Sequence, residues 1–337
     1  MSAPEAEHQA GTSHVGADRI RSVLTRLRRV DPRLYVVYVA FLLILVFFSI
    51  YLRDDGFTSS QNLLNIVKQT TPITVMAVGL VFVLSAGEID LSIGSVVALS
   101  SLVAALTLRD HGMVLGILAG LGVGVGAGLI NGFFTTVLRL PSFLVTLAML
   151  GLIAGLARWV TDLASVAVVN ERYANVFGSG SVGPVPSLLI WSAVVVALGW
   201  FLFRHTRFGA HVVATGDNTD AARVTGIRVA RVKIAVLLLS GTLAALAGLL
   251  YAGRLQSATC TLGEQDLLPV IAAVVIGGTR LFGGTGSVVG ALVGSLIMGM
   301  LNNGLILMGL SASGQMIAQG VILLTAISVT LREPRGS

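Results

Sequence analysis

ITVMAVGLVFVLSAGEIDLSIGSVVALSSLVAALTL, residues 73–108, is the stretch whose reading decides the fold. It is apolar for the length of two helices, yet Glu88 and Asp90 stand two residues apart inside it. A carboxylate at a bilayer centre costs about 2.5–3.5 kcal/mol on insertion scales, so a charge in such a run marks a break or a site. Residues i and i+2 of one α-helix point about 200° apart, so these carboxylates do not share a face of an unbroken helix. The stretch therefore reads as two spans joined by a break, with Gly87 and Gly94 on either side. Asp90 is expected to cap the second span by accepting from the amides of Ser92 and Ile93 at the positive helix end. Glu88 lies outside that cap and is the better pathway or gating contact. Both carboxylates are candidates for a translocation pathway.

The rest of the chain agrees with a membrane reading. Of 337 residues 55% are hydrophobic and 11% charged, less than half the charge of an ordinary soluble domain. A crossing takes about 20 apolar residues. By that rule ten segments are expected: 33–52, 70–87, 92–108, 113–138, 142–161, 187–203, 232–253, 267–280, 286–309 and 314–331. The eighth is short and carries Pro269, Gly277 and Gly278. The predicted class is all-α, a polytopic integral membrane protein of about ten transmembrane helices, some broken by Gly or Pro. Its predicted parts are an N-terminal tail (1–31), a transmembrane domain (32–331) with a large loop at 204–231, and a C-terminal tail (332–337).

The net charge of +6 does not point to nucleic acid, because the basic residues lie in loops between apolar runs. With the N-terminus inside, sixteen of the 22 Lys and Arg residues fall on the inner side. That bias predicts that both termini are cytoplasmic.

Several chemistries are excluded or disfavoured. The lone Cys260 leaves no internal disulfide and no Cys-based metal cluster. Neither Lys68 nor Lys233 precedes Ser or Thr, so there is no G-x-x-x-x-G-K-[ST] phosphate loop. All five histidines lie in the tail or in loops and no H-E-x-x-H occurs, which argues against an intramembrane zinc enzyme. GSGSVG (178–183) fits a dinucleotide pattern but sits in an outer loop before Pro184, the wrong context. No cofactor, metal or enzymatic activity is expected.

Glycine marks close packing. Gly120, Gly122, Gly124, Gly126 and Gly128 crowd the fourth span, and Gly286, Gly290 and Gly294 recur in the ninth. Small residues at such spacing let helix backbones approach. GSVVAL (94–99) is echoed by GSVVGAL (286–292), each after an interrupted segment.

The most specific stretch is TGDNTDAARVTGIRVARVK (215–233). Asn218 or Thr219 can cap a helix whose first turn holds Asp220, and Gly226 can end it after about two turns. DAARVTG (220–226) resembles the E-A-A-x-x-x-G loop of ABC importer permeases, with Asp220 for Glu. The blocks 62–95, 206–227 and 271–309 extend the likeness, and the chain resembles the permease subunits of bacterial monosaccharide ABC importers. The resemblance implies that Asp220, Ala221, Ala222 and Gly226 couple the membrane domain to a separate ATP-hydrolysing subunit. It also implies a homodimer and an extracytoplasmic sugar-binding protein. TCTLGEQDLLPV (259–270) departs from ribose-type relatives, since it has Glu264 and Asp266 but no tyrosine.

Sugar hydroxyls are recognised by carboxylates and amides, so Asn302 and Asn303 join Glu88 and Asp90 as pathway candidates. Inter-helix hydrogen bonding accounts for the asparagines slightly better. Asn131, Gln315 and Gln319 are further polar groups in the spans. The outer loop 162–186, with Asn170, Glu171, Arg172 and Tyr173, is a candidate docking surface for the binding protein, and a merely solvated loop fits it equally well. The alternative function is a proton-coupled secondary sugar transporter relaying through Glu88 and Asp90, which needs no ATPase.

Overall fold

The computed structural model describes residues 32–331; both predicted tails lie outside them. Thirteen α-helices run in chain order among these residues: α1 (Pro32–Tyr51), α2 (Ser60–Ser85), α3 (Ile93–His111), α4 (Met113–Thr136), α5 (Ser142–Thr161), α6 (Glu171–Phe177), α7 (Ser187–His205), α8 (Arg207–Asp217), α9 (Thr219–Val224), α10 (Val229–Leu255), α11 (Leu267–Ile276), α12 (Val288–Leu307) and α13 (Ala312–Leu331). Strand content is slight. β1 (Val166–Ala167) pairs antiparallel with β4 (Ser257–Ala258), and β2 (Ser181–Val182) with β3 (Val185–Pro186). The last pair turns GSGSVG into a hairpin, not a strand–helix phosphate turn.

Each of the ten expected segments contains a helix. Seven of these, α2, α3, α4, α5, α7, α10 and α12, are long and apolar enough to cross a membrane, which makes the chain a polytopic helical membrane protein. The count of ten does not hold by that criterion among the described residues. The clearest reason is α11: its ten residues rise about 15 Å, half a crossing. α2 also starts ten residues earlier than the sequence suggested. Its first turns carry Gln61 and Asn62, which look loop-like, but Ser59 caps them by accepting from the Asn62 amide at 3.3 Å.

The bundle is ordered by burial. α2, α3 and α10 form its centre, with Val75–Leu84 of α2 almost wholly enclosed. α4, α5 and α7 surround them and turn Leu118, Phe133, Leu144, Trp159, Leu198 and Phe201 outward, as lipid-facing helices do. α4 meets α10 through every fourth glycine. A Cβ on Gly124 or Gly128 would collide with the α10 backbone, and one on Gly120 would crowd Ala104 of α3 and the Leu249 side chain of α10, whereas one on Gly122 or Gly126 would meet nothing. The helices touch backbone to backbone, so a methyl group is already too large.

The first turn of α3 does not begin at the end of the bundle. Asp90, just before it, lies opposite Ser240, eleven residues into α10 and so about 16 Å along that helix. The segment 259–266 also reaches inward, where a Cβ on Gly94 would lie 2.7 Å from the Gly263 carbonyl oxygen. Two interrupted stretches, 86–92 and 256–266, thus meet α3 inside the protein.

Candidate functional site

The break after α2 is built by glycine. Gly87, at φ +77°, donates its amide to the Leu84 carbonyl at 2.9 Å, and Glu88 donates to that of Val83 at 3.0 Å. This pair of bonds ends the helix through a left-handed residue, a conformation strained for any side chain but glycine's.

Asp90 is buried beyond the break. Its Oδ1 accepts from the amide and hydroxyl of Ser92 at 3.0 and 2.6 Å, and its Oδ2 from the Ser240 hydroxyl at 2.8 Å. Asn131 on α4 donates to the Ser92 hydroxyl at 3.0 Å. The expected bond from the Ile93 amide is not made, and Ser92 occupies the cap position itself. Asp90 therefore ties three elements together, the break, α4 and α10, which is a wider role than capping. No ion pair reaches it among the described residues.

Glu88 has a cation. Its Oε1 is ion-paired with Nζ of Lys233 on α10, with side-chain exposures of 6% and 24%. A cavity of about 490 Å³ opens beside the pair, walled by Arg139, Ser142 and Arg223 among others. The break, the α4–α5 turn and α9 share that space.

α8 is capped by Thr206, which accepts from the Gly209 amide at 3.3 Å, and it buries Gly209, Val212 and Thr215. Near its end Gly216 lies directly on the Ser85 carbonyl, where a Cβ would collide. The same carbonyl accepts from the Gly284 amide at 3.1 Å. α8 is therefore seated on the end of α2 and on the 277–287 turn. α9 follows with Asn218 as its cap, accepting from the amides of Asp220 and Ala221 at 3.1 and 2.9 Å. Ala222 points inward and is buried, while Val224 is 89% exposed. Gly226, at φ +87°, ends the helix in open space. The ion pair of Asp220 with Arg223 at 3.1 Å is solvent-exposed and contributes little.

Asn302 and Asn303 part company, since neighbours on a helix point about 100° apart. Asn303 is buried and exchanges two hydrogen bonds with Asn62 of α2, at 2.9 and 3.0 Å. That is a helix–helix clasp. Asn302 lines a separate cavity of about 210 Å³ between α2, α10, α11, α12 and α13. The predicted residues thus divide: Glu88 shares a cavity with Arg223 of α9, Asp90 is buried against Ser240 of α10, and Asn302 lines a different cavity.

Three residues at that second cavity escaped sequence reasoning. Tyr251 donates its hydroxyl to Asp266 Oδ2 at 2.6 Å, and Arg254 donates to the Gln69 carbonyl at 3.5 Å. Burial raises the Asp266 carboxyl above the ordinary range; the bond from Tyr251 and the charge of Arg254 oppose the rise. Glu264 turns away to pair with Arg158 at 2.7 Å.

In the 162–186 loop, Tyr173 does not offer a docking surface. It is buried and donates its hydroxyl to the Leu249 carbonyl at 2.9 Å, and burial pushes its phenol pKa up. Glu171 and Arg172 remain exposed on α6.

Residues 62–327 match the family described as branched-chain amino acid transport system / permease component. The chain is 39% identical over 280 residues to the ribose import permease protein of Escherichia coli strain K12, covering 82% of this chain and 87% of that one. It is 36% identical over 292 residues to the L-arabinose ABC transporter permease protein of Azospirillum brasilense, with 86% and 85% covered. The xylose transport system permease protein of Haemophilus influenzae strain Rd is 32% identical over 366 residues, covering 90% of this chain and 97% of that one. No solved structure matches the chain.

Proposed function

The chain belongs to the branched-chain amino acid transport system / permease component family, and from that membership we propose that it is the membrane-spanning subunit of an ATP-driven monosaccharide importer. The observation that carries the reading is the likeness to ribose, arabinose and xylose permeases over at least 82% of the chain. In this reading residues 32–331 are the permease domain and both tails are cytoplasmic. Two copies form the channel, an extracytoplasmic binding protein delivers the sugar, and a separate subunit hydrolyses ATP.

The geometry gives this reading a mechanism. α9 presents Val224 and its charged face outward for the ATPase, while Ala222 holds it against the bundle. A push on α9 passes to α8, and from Gly216 to the end of α2 and the 86–92 break. Helices in backbone contact cannot absorb such a shift locally, because a packed interior is stiff. The break is the element that moves, with Glu88–Lys233 bridging it to α10. That same pairing weighs against a proton relay, since the one carboxylate beside the cavity is already neutralised by a cation.

The test is reconstitution. The permease, a cognate ATPase and a binding protein in proteoliposomes should take up a monosaccharide only with ATP, at a rate indifferent to a protonophore. Uptake without the ATPase that a protonophore abolishes would overturn the proposal in favour of proton coupling.

A further inference from the structure

The 210 Å³ cavity between α2, α10, α11, α12 and α13 has a composition that the bundle does not need for its own packing. Polar groups converge on it from four helices and from the 264–266 turn. The side-chain amide of Gln69 has no hydrogen-bond partner among the described residues. Asn302 accepts only a long bond of 3.5 Å from Gln319, and its own amide hydrogens are unused among the described residues. Gln315 donates to the Leu310 carbonyl at 2.9 Å, which leaves its oxygen free to accept. Asp266, held by Tyr251, keeps acceptor capacity beyond that one bond. Ile73, Pro269, Met298 and Met316 supply the apolar remainder of the wall. Gly299 lets α12 lie against Thr70 without a side chain between them, which forms one side of the space.

We propose that this cavity is a transient subsite for one monosaccharide inside the permease, with Asp266, Asn302, Gln69, Gln315 and Gln319 exchanging hydrogen bonds with its hydroxyls. The inference rests on the reading of the chain as a sugar-importer subunit. The cavity is smaller than a drug-sized pocket and fits one small ligand. Four amides and one carboxylate suit a neutral polyol, in which every hydroxyl both donates and accepts. They suit a branched-chain amino acid poorly, because its apolar side chain would leave those amides unpaired at a cost of about 1–3 kcal/mol each. Asp266 and Arg254 each make one hydrogen bond, with the Tyr251 hydroxyl and the Gln69 carbonyl, so the discrimination against an amino acid rests on the four amides. Loose hydrogen bonding is what a passage requires, since a subsite that held its sugar tightly would slow release.

The experiment uses the complete importer in proteoliposomes and the sugar, among D-ribose, D-xylose, L-arabinose and D-galactose, that the wild type takes up. Gln69→Leu and Asn302→Leu remove amides without a close structural bond, and Asp266→Asn retains a partner for Tyr251. Each variant should keep binding-protein-stimulated ATP hydrolysis within about twofold while the uptake rate per ATP falls about three- to tenfold, the loss of one or two neutral hydrogen bonds. Asn302→Gln should recover part of the loss. Variants that transport like wild type overturn the subsite and leave the importer reading standing. Competition by L-leucine that is lost in Asn302→Leu would overturn the sugar assignment. A wild-type complex that takes up none of the sugars overturns the importer reading and the subsite with it.

Discussion

Glu88 and Lys233 form an ion pair that ties the break between α2 and α3 to the second turn of α10. Glu88 is nearly enclosed and Lys233 is about a quarter exposed. Removing one partner of a fully buried pair costs about 3–5 kcal/mol, because the other charge is left without compensation. The partial exposure of Lys233 puts this pair below that range. Lys233→Met should lower the melting temperature of the detergent-solubilised protein more than Lys233→Met combined with Glu88→Gln does. Additive losses in the double mutant would show that the two side chains do not interact.

The α4–α10 contact separates two glycines on one helix. Gly124→Leu should abolish a monodisperse fold, since its Cβ already collides with the Gly241 backbone, whereas Gly122→Leu should be tolerated. Size-exclusion profiles and membrane expression of the two variants give the comparison. Equal tolerance would contradict the backbone contact.

At the α9 hook, three substitutions act differently. Gly226→Trp forces a side chain into a left-handed conformation that costs about 1–2 kcal/mol, and Ala222→Asp places a charge in a packed contact. Val224→Glu leaves the fold alone and changes only the exposed face. All three should reduce ATPase-coupled uptake at least about tenfold, and Val224→Glu should also weaken co-purification of the ATPase without altering thermal stability.

The clasp between Asn62 and Asn303 should behave as one unit. Inter-helix hydrogen bonds of this kind average about 0.6 kcal/mol and reach about 1.7. Asn303→Ala and Asn62→Ala should each destabilise by that order, with no further loss when combined. Asn302→Ala should leave stability unchanged.

Asp266 gives a pH signature. Its carboxyl pKa is raised in the folded protein, so the folded state holds its proton more tightly than the unfolded chain. The linked stability is fully present below the ordinary carboxylate pKa and is lost as pH rises through the raised value. Asp266→Asn should remove that slope, making the variant's stability relative to wild type rise as the medium goes from acidic to neutral. A constant difference across that window would mean that the carboxyl is not perturbed.

Much of this architecture was legible in the sequence because the membrane constrains it so strongly. Apolar length locates the ten helix-bearing segments of the bundle, though not the loop helices α6 and α8, and Gly87 marks the break. Asp220, Asn218 and Gly226 marked α9, because caps and left-handed ends are local chemistry. What stayed hidden depends on partners distant in the chain. Nothing near Glu88 announces Lys233, and no local rule separates Asn302 from Asn303 until α2 and α13 are placed beside them. Tyr251 is hidden for the same reason, since it reaches Asp266 from a different helix. α11 reads as a span in the sequence because apolar composition does not distinguish a half-crossing from a full one.

The most direct test of the central claim is uptake by the reconstituted permease, ATPase and binding protein, measured for wild type and Val224→Glu with ATP inside the vesicles. The account predicts ATP-dependent monosaccharide accumulation by the wild type and its loss in the variant while the permease stays folded. Accumulation that persists in Val224→Glu, or that proceeds without the ATPase, would contradict it.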